Sequence, residues 1–168
     1  GLGVLNLDGI NTRYEKPREI VARIAAASPE DATCLVQELY REPTKEHLIV
    51  ERIREIKKAK IPCAVSTIPQ NAARLGPIAQ KAGCDIFFVQ STVATVRHQS
   101  SHYTPFDLAA FVRKMKIPVV MGNCVGYDVA LELMETGIQG LLVGVGPGAA
   151  CTTRGVLGIG VPQVTATV

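Results

Sequence analysis

The chain has 168 residues, of which 47% are hydrophobic and 20% charged, a balance typical of one soluble globular domain with a sizeable core. The net charge of +3 is small and scattered, which argues against binding to nucleic acid or to a membrane surface. No apolar run approaches the roughly 20 residues of a membrane-spanning helix, and no signal-peptide pattern opens the chain. Five cysteines without a CxxC pair predict free thiols in a reducing cytoplasm.

One unit recurs along the chain, consisting of an amphipathic helix, a short basic or glycine-containing stop and an apolar strand. In chain order, the pattern predicts strands near 2–7, 63–67, 86–90, 119–122 and 140–145. It predicts helices near 17–27, 46–58, 70–81, 107–114 and 127–135. Between these, residues 28–41 predict a short strand with a turn, and the polar residues 94–105 predict a surface loop.

The strands are continuous apolar runs, which indicates parallel strands buried on both faces and hence βαβ units. An open doubly wound sheet and a (β/α)8 barrel both fit this alternation. The GxGxxG fingerprint of a Rossmann sheet is absent after the first strand, where the chain reads Asn6-Leu7-Asp8-Gly9. Polar residues instead follow several strands, as in barrels. We therefore expect an α/β protein with part of a TIM barrel, about five βα units within a longer polypeptide.

The stretch "GVGPGAACTTRG", residues 144–155, places Cys151 on a glycine-rich loop after the last apolar strand. Glycines let the backbone approach a ligand closely, and a thiolate is a good nucleophile when nearby N–H dipoles or cations lower its pKa. Thr153 offers a hydroxyl and Arg154 a cation nearby in sequence. Residue chemistry alone leaves open the alternative that Cys151 is a small buried hydrophobe.

"GVGPGAACTTRGVLGIGVPQVTA" resembles the active-site loop of the IMP dehydrogenase/GMP reductase family, roughly G-x-G-x-G-x-x-C-x-T followed by G-x-P-Q-x-T-A. "GLGVLNLDGINTRYEKP" is similar to the second barrel strand of a guanine-pathway branch, and "VVMGNCVGYDVALELMETG" to the fifth strand. The resemblance implies a (β/α)8 barrel, usually tetrameric, of which this chain covers strands two to six. Strands one, seven and eight and the mobile flap would lie outside. Residues 1–168 would form part of one catalytic domain without a regulatory insert.

The resemblance implies covalent chemistry on a purine nucleotide. In IMP dehydrogenases a cysteine thiolate attacks C2 of IMP, hydride passes to NAD, and the thioimidate is hydrolysed to XMP. In GMP reductases, the alternative, ammonia leaves GMP and NADPH delivers hydride to C2. A third reading is a non-catalytic nucleotide-binding relative. Cytoplasmic guanine nucleotide biosynthesis is the expected setting.

The resemblance implies that Cys151 is the nucleophile and that Thr153 supplies the hydroxyl that helps to activate water or ammonia. The residues implied to bind substrate are Gly146, Gly148 and Asn123. Those implied to bind the cofactor are Gln90, Thr92, Asn123 and Arg154. The carbonyls implied to hold K⁺ are those of Gly146, Gly148 and Cys151.

Two positions depart from the family pattern. Ala149 replaces a serine that binds the nucleotide phosphate, and Gln90 replaces an aspartate near the cofactor ribose. Because the phosphate grip and the catalytic base would lie beyond Val168, we expect residues 1–168 alone to be inactive.

The remaining candidates are mostly assigned to structure. Asn6 and Asp8 end a strand on the predicted active face and are further candidates for function. Cys34, Cys63 and Cys84 are expected to be structural, the latter two as core thiols. His98 and His102 are not expected to bind a metal, because no carboxylate or thiol stands at ligand spacing.

Overall fold

The computed structural model describes residues 2–97, 101 and 105–168. The histidines His98 and His102, and half of the predicted loop over 94–105, lie outside the described residues. Within this loop, Ala94 is buried and donates its N–H to the carbonyl of Asn123 at 2.7 Å. The loop therefore begins in contact with the strand ends rather than in solvent.

Five strands form one parallel sheet in sequential order, with bounds close to those predicted. They are β1 (Val4–Asn6), β2 (Ala64–Thr67), β3 (Ile86–Gln90), β4 (Val119–Cys124) and β5 (Gly140–Val143). Asn6 pairs with Ser66, and Gln90 pairs with Gly122, so their ends lie at one edge. A register irregularity between Gly122 and Cys124 shifts the end of β4 against β5.

Helices connect the strands, and the five predicted helices are confirmed within two residues at each end. They are α1 (Pro17–Ala26), α3 (Glu46–Lys58), α4 (Pro69–Ala82), α5 (Leu108–Lys114) and α6 (Tyr127–Glu135). The prediction of a strand within 28–41 is wrong, because Pro29–Leu39 forms helix α2. Its first turn is fixed by Ser28, whose side chain accepts the Asp31 N–H at 3.2 Å, and by Pro29.

Three short elements were not predicted. They are a 3₁₀ turn (Ile10–Thr12), α7 (Thr152–Leu157) and α8 (Gln163–Thr167). Helix α7 begins directly after Cys151 and ends at Gly158, which takes a left-handed conformation with φ of +67°. Elements of three to six residues carry too little hydrophobic periodicity to be seen in a sequence.

The helices cover one face of the sheet. Val65, Phe87, Val89, Val119 and Met121 are buried there against α3, α4, α5 and α6. The alternate residues on the opposite face are less buried at the centre of the sheet, as in Phe88 and Val120. Sequential strand order with helices on one face is the arrangement of a barrel segment, because a doubly wound sheet reverses its strand order and carries helices on both faces. The predicted partial barrel is confirmed.

At the amino-terminal edge of the sheet, the Asp85 carboxylate ties β3 to β2 and α3. It accepts the backbone N–H of Cys63 at 2.7 Å, and both of its oxygens lie 2.8 Å from Lys57 Nζ. The Cys63 N–H, and then Lys57, lower the pKa of Asp85. This cluster fixes the edge opposite to the one that carries the polar strand ends.

Among the described residues, no helix has the length and apolar composition needed to cross a membrane. Nor does the described part of the chain contain a group of three or more His, Cys, Asp or Glu side chains suited to a metal ion. All five cysteines are free thiols.

Candidate active site

A cavity of about 600 Å³ opens at the carboxyl-terminal edge of the sheet, where ligands bind in barrel proteins. Its lining is mostly hydroxyl, amide and backbone groups. The lining residues are Asn6, Asp8, Ser66, Thr67, Ile68, Gln90, Ser91, Thr92, Asn123, Val143, Gly144, Val145, Gly146, Pro147, Thr153 and Gln163.

Asp8 builds one wall of this cavity. Its Oδ2 accepts hydrogen bonds from Thr67 Oγ1 and the Ile68 N–H, both at 2.9 Å, and its Oδ1 accepts from Asn71 Nδ2 at 2.7 Å. Asn6 Oδ1 in turn accepts the Asp8 N–H at 2.7 Å. Both carboxylate oxygens are thus occupied in joining the β1 loop to β2 and α4, which assigns Asp8 a structural role in shaping the wall.

Arg13 holds the Asp8 loop from the outside. Its Nε donates to the Asp8 carbonyl at 3.0 Å, and its Nη1 donates to the carbonyls of Tyr40 and Glu42. The guanidinium also lies 5.0 Å from the centre of the Tyr40 ring, within cation–π range. The connection that contains α1 and α2 is therefore anchored to the cavity wall.

The ends of β3 and β4 form the opposite wall, where three predicted residues lie. Ser91 continues the pairing with β4 beyond the end of β3, since the Asn123 N–H donates to the Ser91 carbonyl at 3.1 Å. The Asn123 side chain donates from Nδ2 to the Gly144 carbonyl at 3.0 Å, which leaves its Oδ1 for a ligand. Gln90 and Thr92 are exposed and line the cavity.

The cysteine loop leaves β5 through buried glycines. Gly144 and Gly146 adopt φ angles of +125° and +56°, which disfavour any residue with a side chain. A Cβ built on Gly146 would lie 2.6 Å from the Ile159 carbonyl oxygen. The loop therefore packs closely on the segment that follows α7, and both glycines are required for this approach.

Cys151 stands directly before the first residue of α7 and is half-buried. The backbone N–H of Arg154, followed by the Thr153 hydroxyl and N–H, lowers the pKa of Cys151 below its ordinary value. A thiol with a lowered pKa at a partly accessible helix start has the properties of a reactive cysteine. The geometry therefore favours a nucleophile at this position over an inert core thiol.

The other cysteines differ from Cys151 in environment. Cys63, Cys84 and Cys124 are buried, and burial raises the pKa of each thiol, that of Cys84 to about 12. The expected core positions of Cys63 and Cys84 are confirmed. Cys34, whose structural role remains a prediction, is exposed on α2 and is not a core thiol. It points to solvent because α2 packs through other residues, such as the buried Leu39.

The cavity brings together some of the predicted site residues and not others. Gln90, Thr92, Asn123, Gly146 and Thr153 line it. Gly148, Cys151 and Arg154 do not, although Cys151 is two residues from Thr153. Ala149, the departure from the family serine, is exposed.

The predicted cation-binding carbonyls already take part in turns. The Gly148 carbonyl accepts the Cys151 N–H at 3.2 Å, and the Cys151 carbonyl accepts the Gly155 N–H at 3.3 Å. A carbonyl oxygen has a second lone pair, so these bonds leave capacity for a hard monovalent ion. The carbonyl oxygens of this loop are chemically suited to K⁺.

The charge of the lining is nearly neutral. Asp8 is the one charged residue among the lining residues given above, and both oxygens of its carboxylate accept hydrogen bonds from the protein. Amides and hydroxyls that both donate and accept suit a purine ring, ribose hydroxyls or a carboxamide better than a bare phosphate. Arg154 is exposed and forms no ion pair with the described residues, so a cation is available beside the loop.

Among the polar lining residues, Ser66, Thr67, Ser91 and Gln163 were not singled out as site candidates. Ser66 and Ser91 follow from the rule that polar residues at strand ends meet at one edge. Gln163 lies in the "GVPQVTA" stretch, and no pattern in the sequence placed its side chain in the cavity.

Comparisons with known proteins place these features in context. Residues 19–168 match the profile of the family described as "IMP dehydrogenase / GMP reductase domain". An uncharacterized oxidoreductase of Mycobacterium tuberculosis is 38% identical over 172 residues, covering 99% of this chain and 46% of its own. The inosine-5'-monophosphate dehydrogenase of Cryptosporidium parvum is 42% identical over 86 residues, covering 51% of this chain and 20% of its own.

A solved structure is also similar. The IMP dehydrogenase/GMP reductase-like protein of Corynebacterium glutamicum superposes with a TM-score of 0.87 at 34% identity, over 99% of this chain and 44% of that one. The chain thus spans about half the length of the relatives that it matches from end to end.

Proposed function

The chain belongs to the IMP dehydrogenase/GMP reductase family, and from this premise we propose that the intact protein is a purine-nucleotide oxidoreductase. The preferred reaction is NAD-dependent conversion of IMP to XMP. The observation that supports it most is the position of Cys151 before α7, where N–H groups and the Thr153 hydroxyl stabilise a thiolate.

The proposed chemistry begins at Cys151 Sγ, which forms a covalent bond with C2 of the purine ring. Thr153 lines the cavity, and in this proposal its hydroxyl orients the water that hydrolyses the thioimidate. When bound, a nicotinamide cofactor supplies the hydride-transfer chemistry. In this proposal Gln90, Thr92 and Asn123 hydrogen-bond the cofactor or the base through groups that face the cavity.

The remaining assignments concern ions and charge. We assign the carbonyls of Gly146, Gly148 and Cys151 to K⁺, whose binding would order the loop. Arg154 offers a positive charge for an anionic part of a nucleotide. The neutral lining indicates that most of the phosphate grip comes from groups outside these 168 residues, in agreement with Ala149 at the family's serine position.

Turnover assays on the intact protein test the proposal. IMP with NAD should yield XMP and NADH, and K⁺ should raise the rate relative to Na⁺. GMP with NADPH is the parallel assay for the reductase reaction, and turnover there alone would replace the preferred reaction with the alternative. Absence of turnover in both assays, with retained nucleotide binding, would support the non-catalytic reading instead.

A further inference from the structure

Where β5 becomes the cysteine loop, two consecutive carbonyl oxygens each accept a hydrogen bond from a side-chain amide. Gln163 Nε2 donates to the Val143 carbonyl at 3.2 Å, and Asn123 Nδ2 donates to the Gly144 carbonyl at 3.0 Å. The two amides come from opposite directions in the chain, one from the end of β4 and the other from α8. We call this pair of amides the carbonyl clamp.

Backbone hydrogen bonds also fix this segment, residues 143–145. The Gly144 N–H donates to the Cys124 carbonyl at 2.8 Å, and the Val145 carbonyl accepts the Val161 N–H at 2.9 Å. Four hydrogen bonds therefore fix residues 143–145, two from β4 and two from the segment that returns after α7. Beyond this point the loop has glycines at 146 and 148 and would otherwise have a wide choice of conformations.

Gln163 is also in close contact with the start of the loop. A Cβ built on Gly144 would lie 2.5 Å from Gln163 Oε1, so the amide plane lies directly over the Gly144 Cα. Gln163 is exposed and lines the cavity, and the five-residue helix that carries it buries no residue. A long polar side chain with no part in the core thus bonds the Val143 carbonyl and packs against Gly144.

We propose that Gln163 is a positioning residue that acts through the carbonyl clamp, holding the loop so that Cys151, two residues before the cavity-lining Thr153, keeps its place beside the cavity. The proposal rests on the proposed nucleophilic role of Cys151. Without the Gln163 bond, the Val143 carbonyl at the exposed end of β5 loses a hydrogen-bond partner, and the loop that carries Cys151 samples more conformations. The maximal rate should therefore fall while nucleotide affinity changes little.

The test compares Gln163→Glu with Gln139→Glu in the intact protein. Gln139 also donates a side-chain N–H to a backbone carbonyl, that of Gly137 at 2.6 Å, but before β5 rather than after it. Both variants replace an N–H donor by a carboxylate oxygen of the same shape. Gln163→Met, which has no donor and no charge, separates loss of the bond from charge repulsion.

Two readouts are needed. Deuterium exchange of residues 144–150 should become about fivefold faster in both Gln163 variants, the change expected from losing one neutral hydrogen bond of roughly 1 kcal/mol. The kcat for the nucleotide should fall by a similar factor with KM within about twofold of wild type. Gln139→Glu should leave both measurements at wild-type values.

The outcomes distinguish the two proposals. Unchanged exchange in the Gln163 variants, or an equal change in Gln139→Glu, would overturn the carbonyl clamp. Unchanged kcat in variants whose loop exchanges faster would overturn the positioning role. If exchange is faster in the Gln163 variants but the wild-type protein turns over no purine nucleotide, the carbonyl clamp stands and the proposed function is refuted.

Discussion

The Val161 N–H donates to the carbonyl of Val145 at 2.9 Å, and this bond joins the segment before Cys151 to the segment after it. Cys151 and α7 thus lie within a closed loop that is anchored on β5. The position of Cys151 depends on this closure, because apart from the buried Val145 the loop contributes no residue to the hydrophobic core.

Gly146→Ala should disrupt the loop. At φ of +56° a Cβ is strained by about 1–2 kcal/mol, and it would also lie 2.6 Å from the Ile159 carbonyl oxygen. We expect the rate of Cys151 alkylation by iodoacetamide to change by tenfold or more, measured by peptide mapping.

Gly155→Ala is the matched control, since a Cβ there meets nothing within 4 Å. The added methyl group should stabilise α7 by up to about 1 kcal/mol through helix propensity. Equal changes in the Cys151 alkylation rate in Gly146→Ala and Gly155→Ala would show that the strain at Gly146 does not control the loop.

Thr153→Val should raise the pKa of Cys151, because the thiolate loses a hydroxyl donor. The pH profile of Cys151 alkylation should shift to higher pH, so that the rate falls several-fold at pH 7 and converges with wild type where both thiols are ionised. Thr152→Val should leave the profile in place. An unchanged pH profile in Thr153→Val would show that the Thr153 hydroxyl does not stabilise the Cys151 thiolate.

Asp8→Asn should weaken the fold around the cavity. The amide has one acceptor oxygen in place of two, while three donors converge on Asp8. We expect a loss of about 1–3 kcal/mol in the free energy of unfolding, measured by urea denaturation. Glu38→Gln, on an exposed face of α2, should change stability by no more than about 0.5 kcal/mol. If Asp8→Asn loses no more unfolding free energy than Glu38→Gln, the cavity wall does not depend on the Asp8 carboxylate.

The Asp85 cluster predicts a pH dependence of stability. The folded-state pKa of Asp85 lies below its ordinary value of 3.8, so its stabilising contribution is fully present above about pH 4 and is lost as pH falls through the folded pKa. Asp85→Asn should therefore unfold at lower urea concentration than wild type at pH 7, with the difference shrinking below pH 4. A difference that stays constant from pH 7 to pH 3 would contradict the assignment.

Much of the architecture follows from local sequence signals. Strand β3 and helices α3 and α6 have the predicted bounds, because each is a clear apolar run or a strongly amphipathic segment. Helix α2 was missed although Ser28-Pro29-Glu30-Asp31 is a helix start, since the Cys-Leu-Val run that follows has the composition of a strand.

The site was less accessible to prediction. Strand-end polarity identified the edge that carries the cavity, and the resemblance directed attention to Cys151. The bonds that hold the loop escaped prediction, because Gln163 and Val143 are 20 residues apart and are joined by a side-chain amide rather than by a periodic pattern. The occupied carboxylate of Asp8 likewise becomes evident only when Thr67 and Asn71 are seen beside it.

Selective labelling of the intact protein by an electrophilic 6-chloropurine nucleotide tests the central claim most directly, with modified peptides quantified by mass spectrometry. The exposed Cys34 serves as an internal comparison for a thiol outside the site. The account predicts that Cys151 is modified first, that IMP protects it, and that Cys34 reacts slowly and without protection. Equal modification of Cys34 and Cys151, unaffected by IMP, would contradict a nucleophile poised beside a purine site.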